Sequence, residues 1–327
     1  MQNDRPALGR RGLLAAAATL PIALPALAQP TWRATRPVRV LVPFPPGGAT
    51  DMLARLVAAG LGESLGQPLV IENRPGANGV VATQALLGVP ADGHALILAT
   101  ADTHTVLPAA NPRLPYKVAD FVPVSGMASV VFALVARPGL PVENTRQLVE
   151  YARSARQPLT YASYGYASVS HAAGEMFRSA IGATMTHVPY QGAGPGVLAI
   201  TADQVDVMMV PVAVANPQRS RLKMLAVANA ERFALVADVP TLREQGFDLT
   251  ADAWIGLLGA PGTPRPVAEA IHAAVARVVQ TASFQDTLRT NGFTSLGYDP
   301  AAYTRFLAAE AERWGKVVRD GNIRVEG

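Results

Sequence analysis

Short apolar runs, each followed by a glycine-marked break and then by apolar residues at helical spacing, recur along this chain. RPVRVLVPF (36–44) reads as a buried strand, and DMLARLVAAGLGESLG (51–66) carries its apolar positions on one helical face. PLVIENR predicts a second strand, PGANG a turn, VVATQALLG a helix and ALILAT (95–100) a third strand. A β-α-β-α-β succession of this kind predicts a parallel sheet with helices on its faces. The pattern then changes. FVPVSGMASVVFALVARPG is a long, nearly continuous apolar and β-branched stretch, suited to a strand that leaves one lobe and enters another, with the first crossing expected at residues 131–137.

A second series follows with the same grammar: a helix at NTRQLVEYARSA, strand LTYAS, a helix from Val169, strand MTHVPY, a helix after Pro195, and strands VDVMMV and LKMLAVA. AWIGLLGAPG (253–262) reads as a return strand, and helices at PVAEAIHAAVARVVQ and PAAYTRFLAAEAERWGKVV close the chain. Two α/β lobes connected by more than one crossing form the architecture of a hinged binding protein. The expected division is a leader over residues 1–28, a first lobe over 36–133, a second over 134–252, and a return to the first over 253–327.

The leader has its own signature: Arg10 and Arg11, the apolar run GLLAAAATLPIALPALA, and an Ala26-Leu27-Ala28 cleavage pattern. These indicate a secretory signal peptide cut near Ala28, with a paired-arginine start that resembles a twin-arginine signal. Pro21 and Pro25 interrupt a run already shorter than the about 20 residues a spanning helix requires, so no membrane insertion is expected after cleavage. The 327 residues carry a formal net charge of +4, half of it from Asp4, Arg5, Arg10 and Arg11 inside the leader. No dense basic run with interleaved aromatics is present, which argues against a nucleic-acid partner. The absence of cysteine excludes disulfides, thiol catalysis and thiolate metal sites.

The chemistry concentrates where strands run through glycines into helices. In VPFPPGGATD (42–51) the first helical turn has N–H groups without intrahelical partners, so the turn is a ready anion site; Thr50 is a candidate cap and Asp51 suits the positive end of the helix. A plain capped turn would explain these residues equally well. The grammar recurs at YASYGYASVSH (161–171), with Gly165 before the candidate cap Ser168, and at HVPYQGAGPG (187–196). Three such loops distributed over two lobes favour an anion held from both sides.

Other readings fare worse. GESLG (62–66) matches G-x-S-x-G, but a helix precedes Ser64 and a strand follows it, the reverse of a nucleophile elbow. Ser168 and His171 have no orienting acid nearby, so hydroxyl contacts to a ligand are favoured over an exported Ser/His hydrolase. His94, His104, His171, His187 and His272 show no ligand spacing, and GAGPGV lacks the last glycine of a dinucleotide loop, so no metal and no cofactor are assigned. Asp206, an acid within the apolar run VDVMMV, is either solvated at a strand end or turned to the cleft.

VPFPPGGATD, VIENRPGANG, ADGHALILAT, DFVPVSGMA, LTYASYGYASVSH, VPYQGAGP, QVDVMMVPV and WIGLLGAPGTP together resemble, in order, the tripartite tricarboxylate transporter receptors, the Bug or TctC type of extracytoplasmic solute receptor. The resemblance implies a nonenzymatic, periplasmic binding protein type II-like fold of Venus-flytrap form, which closes on a small organic carboxylate and works with a membrane permease. A sensor or signalling partner is the alternative, and the receptor is expected to act as a monomer. Carried over, the ligand-binding positions are Phe44, Gly48, Ala49, Thr50 and Asp51 in the first lobe. In the second they are Ser163, Gly165, Ser168, His171, Tyr190, Gly192 and Ala193, with Asp206 near the far end of the ligand. Tyr164, Tyr166 and Ala167 stand where the family has small or polar residues, which implies a narrower pocket. Ala202-Asp203 stands where a glycine is frequent.

Overall fold

The computed structural model describes residues 32–325; the export signal read over residues 1–28 lies outside them. Ten strands form one continuous ladder in the order β2-β1-β3-β9-β4-β7-β5-β6, with β10 and β8 also paired to β4. The first lobe is built on β1 (Val38–Val42), β2 (Leu69–Asn73) and β3 (Ala95–Thr100), which run parallel with β1 in the middle. β5 (Leu159–Ser163), β6 (Met185–Pro189) and β7 (Val207–Pro211) repeat that arrangement in the second lobe, with β5 in the middle.

β4 (Val122–Ala136) and β9 (Asp252–Gly259) link the two sets. Residues Val122 to Val131 of β4 pair antiparallel with β9, and Phe132 to Ala136 pair with β7. The change of partner between Val131 and Phe132 falls where the apolar stretch suggested a crossing. One strand can serve both lobes because its side chains are buried along nearly its whole length, so neither face has a solvent preference to satisfy. β8 (Lys223–Val227) and β10 (Phe293–Tyr298) flank β4 on its second-lobe and first-lobe parts respectively.

Helices cover the sheets: α1 (Ala49–Leu65), α2 (Val80–Leu87) and the short α3 (Leu107–Ala110) in the first lobe, then α4 (Thr145–Ser154), α5 (Val169–Ile181), α6 (Ala193–Thr201) and the short α7 (Val212–Ala215) in the second. α8 (Arg265–Val279), α9 (Ala282–Thr290) and α10 (Pro300–Asp320) close the chain, and Trp254, Tyr303 and Trp314 are fully buried among them. Among the features without a counterpart in the sequence reading are the short helices α3 and α7, a π-helical turn at Asp102–Val106, the helix α9, and the strand β10.

Two local expectations change. Thr50 is not the cap of α1; Gly48 occupies that position without a side-chain bond, and Thr50 is buried in the first turn. Asp203, where the family resemblance led to a glycine, adopts a left-handed φ of 56°. Its carboxylate accepts from the Gly139 N–H at 3.0 Å and the Arg137 guanidinium at 3.2 Å, which holds the turn without glycine. Ser64 sits in the last turn of α1, where its hydroxyl donates to the Ala274 carbonyl at 3.2 Å and accepts from Arg277 at 2.9 Å, as a helix-end residue would.

Candidate functional site

A cavity of about 390 Å³ opens at the carboxyl ends of the parallel strands of both lobes. In each lobe the strand order reverses direction beside the central strand, and the loops leaving it diverge there. The chain after β1 contributes Phe44 through Thr50, the end of β3 Thr100 and the turn beyond it Asp102, the chain after β5 Tyr164, and the chain after β6 Gln191 through Pro195. The crossing strands form the floor. Val130 faces Ala253 across the β4–β9 ladder and Phe132 faces Pro211 across the β4–β7 ladder; with Ile255, all line the cavity, so its walls are predominantly apolar.

The polar end is made by two helix starts. α1 begins after Gly48, and no acceptor among the described residues takes the N–H groups of Gly48, Ala49 or Thr50. α6 begins after Gly192, whose φ of 114° requires glycine; the N–H groups of Ala193 and Gly194 are likewise without acceptors among the described residues. Such groups attract an anion by direct hydrogen bonding and by the helix dipole. Pro45 and Gly192 approach across the cleft closely enough that a Cβ on Gly192 would lie 3.9 Å from Pro45 Cγ.

Asp51 braces the first loop from behind. Its carboxylate accepts from the Gly47 N–H at 3.0 Å, from Arg55 at 3.0 and 2.9 Å, and from Asn73 Nδ2 at 2.9 Å. Asn73 also donates to the Phe44 carbonyl at 3.1 Å. Burial works against its ionisation, but the Arg55, Gly47 and Asn73 donors outweigh it and hold the carboxyl below its ordinary value. Asp51 is therefore buried behind the loop and does not line the cavity.

The loop after β5 is arranged differently. Tyr164 lines the cavity, with its ring edge-on to Phe44 at 6.4 Å, while Tyr166 is exposed and packs edge-on against His171 and His187. Of these two tyrosines, only Tyr164 lines this cavity. Ser163, Ser168 and His171 are buried outside it. Ser163 Oγ lies 2.7 Å from His187 Nε2 and donates to the Gly165 carbonyl at 3.0 Å. Ser168 Oγ donates to the Gly165 carbonyl at 2.7 Å and caps α5 by accepting from the His171 N–H at 3.1 Å. His171 stacks on His187 with ring centroids 3.9 Å apart. Desolvation lowers both imidazoles to about 4; His171 adds to the lowering of His187, and the Glu175 carboxylate pulls both the other way.

Gly165 lines a second hollow of about 570 Å³, which shares Phe44, Pro45, Tyr164, Gln191 and Gly192 with the cavity and continues towards Asn78. Tyr190 packs against the apolar cluster of the second lobe. Asp206 lies at the opposite end of the strands, where it accepts from Arg137 Nε at 2.8 Å and from the Thr160 N–H and hydroxyl at 2.8 Å each. It is a paired strand-end acid, distant in the fold from the cavity wall.

Asp102 is not among the individual positions that sequence reasoning named, although it lies in the segment 100–107, which that reasoning took as one source of discriminating ligand contacts. It lines the cavity from the π-helical turn, is 4% exposed, and reaches across to the second lobe. Its Oδ1 accepts from the Val169 N–H at 2.7 Å and from the Tyr164 hydroxyl at 3.0 Å; Oδ2 accepts from Thr100 Oγ1 at 3.3 Å. Burial pushes its carboxyl up, against the pull of these donors. An acid placed directly after a buried strand, before a polar run, was the available signal. Asn78 makes a further interlobe contact, donating from Nδ2 to the Ala167 carbonyl at 3.0 Å.

A cleft of this construction, at the strand ends of two lobes joined by crossing strands, defines a two-lobed periplasmic solute-binding receptor. The comparisons with known proteins agree. The tripartite tricarboxylate transporter family receptor description matches residues 53–323, and the chain belongs to that family. It is similar to BugT of Bordetella pertussis, with 32% identity over 296 residues, covering 89% of this chain and 91% of that one. Among solved structures it is similar to Rpa4515 of R. palustris with adipate, at 34% identity and a TM-score of 0.85 over 89% of this chain and 98% of that one. MatC of Rhodopseudomonas palustris with bound malate is 34% identical with a TM-score of 0.80, covering 87% of this chain and 99% of that one. Members of the family are periplasmic solute-binding receptors that serve membrane transport.

Proposed function

We propose that this receptor seats the carboxylate of a small organic acid on the open N–H groups at the starts of α1 and α6 and delivers it to a membrane permease. One observation carries the reading: two helix starts, one from each lobe, present N–H groups without acceptors among the described residues to a single, largely apolar cavity. Adipate and malate in the related structures support the ligand class. The direct contacts on this reading are Phe44, Gly48, Ala49, Thr50, Gly192 and Ala193, with Asp51 as the brace of the first loop.

The lobes divide at residues 36–133, 134–252 and 253–327, with β4 and β9 as crossing strands. Ligand touches both lobes only when they are closed, so binding shifts the population towards the closed form. Cleavage near Ala28 releases the receptor to the periplasm, where it acts as a monomer and not as an enzyme. Against hydrolysis stands the hydroxyl of Ser168, committed to capping α5, while His171 Nδ1 accepts from the Ala167 N–H at 3.2 Å. The family relationship favours a permease over a sensor as the partner.

A thermal-shift screen of the mature chain against organic acids, followed by calorimetry, tests the proposal. Stabilisation by one or more carboxylates, and loss of it on methyl esterification of the ligand, is the expected result. No stabilisation by any acid, or equal stabilisation by acid and ester, overturns it.

A further inference from the structure

Three helices start at the cleft, and their first turns are not equivalent. The N–H groups opening α1 and α6 are without acceptors among the described residues, whereas at the start of α5 the N–H groups of Ser168, Val169 and His171 are taken. Val169 N–H is held by Asp102 Oδ1 at 2.7 Å, His171 N–H by the Ser168 hydroxyl at 3.1 Å, and the N–H of the capping Ser168 by the Gly165 carbonyl at 3.3 Å. Asp102 comes from the first lobe and α5 from the second. The protein thus supplies, from its own chain, the carboxyl that this helix start would otherwise take from a ligand.

We infer that Asp102 fills the second anion seat of the cleft, so that the receptor selects monocarboxylates with an apolar body and excludes dicarboxylates. The inference rests on the carboxylate reading above and sharpens it. A ligand whose carboxylate lies against α1 and α6 directs its remaining atoms along Val130, Phe132, Ile255 and the ring of Tyr164. A second carboxylate in that region finds the Val169 and His171 donors of α5 already taken. It would give up its water for an apolar wall and the buried carboxyl of Asp102, a transfer that is costly without compensating hydrogen bonds. An aliphatic chain or an aromatic ring has no such requirement and gains by burial. Tyr164 contributes twice, as ring wall and as the hydroxyl that fixes Asp102 Oδ1 at 3.0 Å. On this inference the ligand class differs from the adipate and malate seen in the structural relatives.

Matched pairs that differ by one carboxylate give the test: hexanoate against adipate and benzoate against terephthalate, measured by calorimetry on the mature wild-type chain. The expected result is at least tenfold tighter binding of the monocarboxylate in at least one pair and of the dicarboxylate in neither. Asp102→Ser, which shortens the side chain and frees the Val169 N–H, should narrow or reverse that ratio. Equal or tighter binding of the dicarboxylates by wild type overturns this inference and leaves the carboxylate reading intact. An unchanged ratio in a folded Asp102→Ser variant also overturns it. If the variant fails to fold, the wild-type ratio decides alone; if no acid binds, both readings fall.

Discussion

Replacing Asp51 by alanine removes the one acceptor on which Gly47, Arg55 and Asn73 converge. Hydrogen bonds to a charged group contribute about 1.5–3 kcal/mol each when both partners are shielded. Here the shielding is uneven, since the Arg55 side chain is 57% exposed and Gly47 is exposed, so both can turn to water, whereas the carboxylate itself is 4% exposed. The net cost should therefore be about 2 kcal/mol rather than the sum of the separate bonds. That lowers the melting temperature by roughly 4–8 °C on the scale of 150–250-residue domains. Ligand affinity should fall by about tenfold or more, because the N–H groups of Gly48, Ala49 and Thr50 bind an anion only while the loop holds their orientation. Urea denaturation at constant m-value gives the first quantity and calorimetry the second. Asp51→Asn separates charge from shape, since the amide keeps an acceptor for Gly47 or Asn73 but loses the charge opposite Arg55. The Asp51 carboxyl is held below its ordinary value of 3.8, so the folded state binds its proton less readily than the unfolded one. The stability difference between wild type and Asp51→Asn should be full above about pH 5 and shrink as the pH falls through 3.8 and below. A variant within about 0.5 kcal/mol of wild type at neutral pH would show that Pro45 and Pro46 hold the loop unaided, and would refute the brace.

Other expectations concern the same loops. Gly48 has an extended φ of −80°, and an added Cβ would meet nothing closer than the Pro45 carbonyl at 3.8 Å, so Gly48→Val should melt within about 2 °C of wild type while losing carboxylate binding at least about tenfold; equal affinity would remove Gly48 from the anion seat. Asn78→Ala deletes interlobe hydrogen bonds to Ala167 and Tyr166 and should weaken binding by about fivefold with an enlarged radius of gyration for the ligand-bound state in solution scattering; unchanged affinity and radius would show closure to be independent of this contact. The stacked His171–His187 pair is held neutral, each imidazole lowered from 6.5 to about 4. Between those values the unfolded chain binds more protons, so stability is complete above pH 6.5 and is lost as pH falls towards 4, by an amount on the order of 3 kcal/mol for His171. A flat stability profile over that window, or one unaltered by His187→Gln, would contradict this account.

Much of the framework was legible in the chain itself. The strands Ala95–Thr100 and Leu159–Ser163 have the ends that their apolar runs suggested, because a continuous buried run bounded by turn residues has few alternative conformations. α6 starts two residues before Pro195 rather than after it, since a proline in the first turn gives up an N–H that has no helical partner anyway. β10 was not legible. FTSLGY alternates weakly, and what makes it a strand is the edge offered by β4, a partner more than 150 residues earlier.

The sequence by itself determined which segments become strands and helices and placed the glycine loops between them, because those choices depend on neighbours within a few residues. Only the tertiary structure decided what each loop does. Three loops of the same grammar lie at the cleft, yet two keep their N–H groups open and the third is closed by Asp102 from the other lobe. Asp206 and Asp51, both acids beside apolar runs, are drawn into ion pairs by Arg137 and Arg55, the first at the far end of the strands and the second behind the first loop of the site. A buried carboxyl must find donors somewhere, and whether these are supplied by the chain or by a ligand depends on residues brought together by folding.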